Sequence, residues 1–113
     1  MRTARSAALF SRRSGELAEV FRALAHPARI EILRVLARRG VCVCGEIVDV
    51  LPLSQASVSQ HLKALLEAGL IKGRLDGTRS CYCLNIQRLK KSRAIMERLF
   101  DRLDPVDYDD RCC

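Results

Sequence analysis

The chain has 113 residues, 49% of them apolar but only five Phe or Tyr, and a formal net charge of +7. That suffices for one domain with a core of Leu, Ile, Val and Ala, and not for two. The excess of base favours a polyanionic partner over an acidic substrate, and no apolar run is long enough to span a bilayer.

The N-terminus is basic, but no apolar h-region follows it, so a secretory signal is not expected and a cytoplasmic location is. Six cysteines fall in three close pairs, Cys42/Cys44, Cys81/Cys83 and Cys112/Cys113. In a reducing compartment such clusters point to metal binding or redox chemistry more than to structural disulfides.

Residues 1–14 carry Arg2, Arg5, Arg12 and Arg13 without periodicity and read as a flexible basic arm. Residues 15–25 predict a first helix, with Leu17, Val20, Phe21 and Leu24 on one face. His26-Pro27 interrupts it, and Pro27 suits the first turn of a second helix running to about Arg39. That helix is apolar almost all round and should be central. His26 reads as a cap or surface residue.

Gly40 closes the second helix, and Val41-Cys-Val-Cys44 alternates like a very short strand. Residues 45–51 predict a short helix that Pro52 ends. Ser54 is a good N-cap for the next helix. There Val58, Leu62, Leu65 and Leu66 form an apolar stripe, and Gly69 supplies the stop. Ala56, Gln60, Lys63 and Ala64 lie opposite the stripe, Gln55 at the tip and Ser59 on the flank. Small residues, amides, a hydroxyl and a lysine can approach base edges and phosphates closely. The two helices read as a helix-turn-helix whose second helix enters the major groove.

The pattern then changes to period two. Leu70–Leu75, an Asp76-Gly77 turn and Thr78–Leu84 predict a β-hairpin. Lys72, Arg74 and Arg79 flank its tip, as in a wing that touches phosphates or the minor groove. Residues 86–103 predict a last helix with Leu89, Met96, Leu99, Phe100 and Leu103 on one side. A domain this small has little left for that stripe to cover, so it is expected to pair with the first helix and with a second subunit. Residues 104–113 form an acidic tail ending in Cys-Cys. The whole is mainly α with a small β-hairpin, residues 15–103 making a winged helix-turn-helix that dimerises through its N- and C-terminal helices. Two recognition helices about 34 Å apart would then read two half-sites.

Leu24-Ala-His-Pro-Ala-Arg-Ile-Glu-Ile-Leu33, Ser54-Gln-Ala-Ser-Val-Ser-Gln-His-Leu-Lys63 and Glu67-Ala-Gly-Leu-Ile71 together resemble the ArsR/SmtB winged-helix repressors over residues 15–103. The resemblance implies a homodimer that binds double-stranded operator DNA and releases it on binding a metal or metalloid. It implies base reading by Gln55, Ser59 and Gln60, with Ser57 and Lys63 in support. His61 points nearer the apolar side and reads as packed or capping. Val41-Cys-Val-Cys-Gly45 resembles the Cys-Val-Cys box of arsenite and cadmium sensors. Some arsenite repressors carry a third Cys three residues after the second, where this chain has Ile47. The third thiolate must come from elsewhere. The last helix lacks the His and acidic pattern of the zinc sensors.

Sulfur chemistry narrows the source. As(III) exchanges three hydroxides for three thiolates, and soft thiolates favour it over hard cations. Cys42 and Cys44 share a face on a strand but point about 200° apart on a helix. Cys81 and Cys83 obey the same rule on the second hairpin strand, where Tyr82 and Leu84 should face the core. Pairing of the two segments would gather the thiols, so Cys42 and Cys44 are the expected first two ligands and Cys81 or Cys83 the third. Cys112 and Cys113 rank behind, because nothing fixes their position.

As(III) is the expected inducer, with Sb(III) beside it and Cd(II), Pb(II) or Zn(II) on the same thiols as alternatives. A thiol-redox repressor is a further reading, weakened by the awkwardness of disulfides within such close pairs. A structural zinc-binding interaction module is the remaining one. No acid/base pair indicates an enzyme.

Overall fold

The computed structural model describes residues 10–40, 43–44, 51–76, 79–104, 109 and 111. Helix α1 spans Arg12–Leu24, α2 Pro27–Arg39 and α3 Gln55–Glu67. Strand β1 is Val43–Cys44, β2 Ile71–Asp76 and β3 Arg79–Leu84, and α4 spans Ile86–Arg102. The short helix expected over 45–51 lies outside the described residues up to position 50. The tail cysteines Cys112 and Cys113 lie outside them too.

Local chemistry fixes most boundaries. Helix α1 starts three residues earlier than expected, because the Ser11 hydroxyl accepts from the Ser14 N–H and caps it. Arg12, Arg13 and Ser14 therefore belong to the helix and not to the arm. His26 caps α2 as expected: its Nδ1 accepts from Ala28 N–H at 3.0 Å, with Pro27 in the first turn. Gly40 ends α2 at φ 68° and Gly69 follows α3 at φ 77°, the left-handed region that glycine adopts without a Cβ penalty.

The core joins α2, α3 and the sheet. Ile32, Leu36, Val58, Leu65 and Leu70 are all but inaccessible, and Val43 and Ile71 pack with them. Helix α2 is less uniformly buried than its composition predicts. Ile30 is 41% exposed, since only the Ala28/Ile32/Val35/Leu36 stripe meets the core. Burying such stripes, at about 25 cal/mol per Å² of apolar surface, is the main favourable term in a domain of this size.

The sheet is antiparallel in the order β1-β3-β2. Ile71 pairs with Leu84 and Gly73 with Tyr82, and Tyr82 and Leu84 pack against the core as expected. The register closes one residue later than the Asp76-Gly77 signal indicates, because Asp76 pairs with Arg79 and leaves residues 77–78 as the connection. A one-residue slip would turn Tyr82 and Leu84 away from the core, so the apolar face dictates the register. Helix α4 packs on α1. Leu89 reaches the core and Ile95, Met96 and Leu99 are half-buried, whereas Phe100 and Leu103 are exposed.

Candidate nucleic-acid interface and thiol cluster

Helix α3 presents the polar face that its sequence predicts. Gln55, Ala56, Ser59, Gln60 and Lys63 are exposed, while Val58, Leu62 and Leu65 are buried beneath them. Ser57 is half-buried. The Ser54 hydroxyl accepts from Ser57 N–H at 3.2 Å and holds the first turn, from which Gln55 projects. Lys72 and Arg74 are exposed on β2 of the wing. Arg79 is in β3 opposite Asp76. Amides and hydroxyls on the helix suit base edges, and the lysines and arginines beside them suit phosphates.

Helix α3 is braced from behind. Arg29 of α2 donates from Nε to His61 Nδ1 at 3.2 Å, and from Nη1 to the carbonyls of Arg22 and Ala23 at 3.2 and 3.3 Å. The His61 ring lies 4.3 Å from that of His26, centroid to centroid. Partial burial, then the neighbouring His26 and the Arg29 guanidinium, lower the pKa of His61. The sequence identified neither the role of Arg29 nor the histidine contact. The one signal was His26-Pro-Ala-Arg29 itself, which is 32 residues from His61 at its arginine. At the other end of α3, Asn85 donates to the Gly69 carbonyl at 2.9 Å and caps α4 through Arg88 N–H.

Cys44 meets the Cys81/Cys83 pair at the sheet. Strand β1 pairs with β3 so that Val43 faces Tyr82 and Cys44 faces Cys81 across the ladder. On the other side of β3, Arg74 pairs with Cys81 and Lys72 with Cys83. Strand alternation puts Cys81, Cys83, Lys72 and Arg74 on one face of the sheet, opposite Tyr82 and Leu84, and Cys44 holds the register position across from Cys81. Cys42 lies outside the described residues, and among those described no group of three or more His, Cys, Asp or Glu side chains converges.

Cys81 is completely buried although it points away from the main core, and Cys83 is half-buried. The sulfurs of Cys81 and Cys83 are each engaged in a disulfide. Residues two apart on one strand are separated by about 6.6 Å of rise, at the limit for a bridge. Directly opposed residues sit about 4.5–5.5 Å apart, well inside it. A bridge that is awkward within a close pair is therefore unstrained between partners across the ladder.

A helix with an exposed polar face, α3, and a basic hairpin beside it are the arrangement of a winged-helix DNA-binding regulator. Residues 24–74 match the family described as a helix-turn-helix domain. The chain is 39% identical to an uncharacterised HTH-type transcriptional regulator of Methanocaldococcus jannaschii, over 73% of this chain and 92% of that protein. It is 44% identical to an arsenical resistance operon repressor of Bacillus subtilis, over 58% of this chain and 62% of that protein. An ArsR-like transcriptional regulator from Rhodococcus superposes with a TM-score of 0.67 at 31% identity, covering 80% of this chain and 85% of that one. The chain belongs to the ArsR family of helix-turn-helix transcriptional repressors. Its fold and relatives are those of DNA-binding regulators and not of enzymes. No helix among the described residues is long and apolar enough to cross a membrane.

Proposed function

We propose that this protein is a cytoplasmic homodimeric repressor that binds operator DNA and releases it when As(III), or Sb(III), is captured by cysteine thiolates. The observation that carries the ligand assignment is the β1–β3 register, which sets Cys44 opposite Cys81 with Cys83 on the same face. Similarity to an arsenical resistance operon repressor supports the same inducer.

Arsenite and three thiols give a tris-thiolate arsenic centre and three waters, with no change of oxidation state. Cys44 and Cys81 supply two of the sulfurs. Cys83 or Cys42 supplies the third, and Cys112 and Cys113 rank behind them. Lys72 and Arg74, on the same face, stabilise thiolate charge. Gln55, Ser59 and Gln60 read bases, Ser57 and Lys63 support them, and Lys72, Arg74 and Arg79 touch the backbone from the wing. Drawing β1 and β3 together around one arsenic shifts the segment that leads into α3. To empty a mostly occupied operator, the ligand must favour the released state by about 5 kcal/mol, which several sulfur bonds can provide.

The test is fluorescence anisotropy of the fully reduced protein on its own upstream DNA during an arsenite titration, with Cd(II), Pb(II) and Zn(II) in parallel. Release by arsenite, lost in Cys81→Ser with Cys83→Ser, is expected. Release by cadmium, lead or zinc alone would replace the inducer. Absence of DNA binding, with zinc stabilising the fold, would favour a structural module.

Disulfide bonding at Cys81 and Cys83 favours a second reading, a repressor governed by thiol oxidation. Two opposed thiols and hydrogen peroxide give a disulfide and two waters. Peroxide-induced release, reversed by dithiothreitol and independent of arsenite, would select it.

A further inference from the structure

Arg29 links three helices from one side chain. Its Nη1 binds the last carbonyls of α1, its backbone is in α2, and its Nε donates to His61 of the recognition helix α3. His26, fixed as the cap of α2, leans its ring on the same His61 at an interplanar angle of 45°. His61 is the residue between Gln60 and Leu62, so it ties down the turn that carries the exposed Gln60 and Lys63. A recognition surface has to be held within about 0.5 Å and 10–20° of its productive pose.

We propose that Arg29, His26 and His61 are positioning residues for DNA binding, and that they hold α3 in its operator-binding pose only while His61 is neutral. This rests on the family's DNA-binding role and not on the identity of the inducer. The chemistry is one-directional. An arginine Nε–H can only donate, so Nδ1 of His61 must offer a lone pair and its proton must sit on Nε2. A second proton removes the acceptor and sets an imidazolium against a guanidinium.

The charged groups facing the cluster include both signs. His26 and Arg29 oppose the extra charge, and Glu19 and Arg22 of α1 with Glu67 of α3 line the adjoining cleft beside Arg29. The carboxylates do not replace the lost acceptor, because Arg29 keeps its Nη1 bonds to the α1 carbonyls.

The expected sign is unusual. Added positive charge ordinarily tightens DNA binding through the phosphates. Here acidification should weaken it, by about tenfold between pH 7.5 and 5.5, the equivalent of one hydrogen bond to a charged group. The experiment is operator anisotropy against pH for the wild type, His61→Asn, His61→Phe and Arg29→Lys. Asn places a non-titrating acceptor where Nδ1 lies, and its profile should be nearly flat with affinity close to wild type at pH 7.5. Phe keeps the ring contact but has no acceptor, and Lys lacks the fork, so both should bind about tenfold more weakly than the wild type at pH 7.5. Wild-type binding that tightens on acidification, or a His61→Asn variant with the wild-type slope, would overturn the proposal.

A ¹⁵N tautomer measurement on the free protein separates this from failure of the DNA-binding reading. His61 should be the Nε2–H form in the wild type and should change in Arg29→Lys. An Nδ1–H form overturns the cluster even if DNA binds, and loss of all DNA binding with the Nε2–H form intact overturns the regulatory role assigned to it.

Discussion

Ile32 and Leu65 have no exposed surface and pack into the same cluster from α2 and α3. Truncating either to Ala removes buried methyl groups and leaves a void, for an expected loss of about 3 kcal/mol, read as a fall in the urea midpoint. Gly69 poses a backbone problem instead. At φ 77°, Gly69→Ala should cost about 1–2 kcal/mol through left-handed strain. The nearest atom its Cβ would meet is Arg88 Nε at 3.5 Å, an ordinary contact, so packing should add little.

His61 gives the residue-scale pH effect. Its pKa is lowered on folding, chiefly by burial. The unfolded chain therefore takes up the proton first. Stability is full above the ordinary histidine value of about 6.5 and declines as pH falls from there toward the folded value. Urea midpoints between pH 7.5 and 5 should show that decline, and His61→Asn should reduce it. The sequence assigned His61 a packed or capping role. It could not give the partner, because the contact depends on how α2 crosses α3.

At the scale of the element, caps explain why most helices were legible. Ser54, Gly40 and Gly69 act through bonds to neighbours a few residues away, so sequence order alone reveals them. Ser54→Ala should cost about 1 kcal/mol and fray the turn bearing Gln55, seen as faster amide exchange there. The start of α1 was missed because Ser11 and Ser14 lie in a basic run before Gly15, a poor helix former. Asn85 does two jobs at once, capping α4 and closing the Gly69 turn. Asn85→Ala should therefore lose more than a cap alone, about 2 kcal/mol. The cysteine spacing was legible as two strand-like pairs. The meeting of Cys44 with Cys81 across β1 and β3 depends on register, and register follows from Tyr82 and Leu84 turning toward the core.

At the scale of the whole molecule, the outer face of α4 carries exposed apolar side chains. Phe100 is 59% and Leu103 63% exposed, next to half-buried Leu99 and Ile95 along the contact with α1. A second subunit meeting this face would satisfy the proposed dimer. Phe100→Glu with Leu103→Glu should then give a monomer by analytical ultracentrifugation, with operator affinity reduced at least a hundredfold because half-sites are no longer bound together. A double variant that remained dimeric would move the interface elsewhere.

What the sequence determined by itself is the order of elements, the polar face of α3, the basic wing and the presence of paired thiols. Each depends on periodicity, capping or composition within about twenty residues, where local sterics and hydrogen bonding decide the outcome. Only the tertiary structure decided that Cys44 faces Cys81, that Arg29 reaches His61, and that Phe100 and Leu103 stay uncovered within one chain. These follow from the burial of one shared core. Burial acts on the summed apolar area of all elements and carries no label of sequence distance.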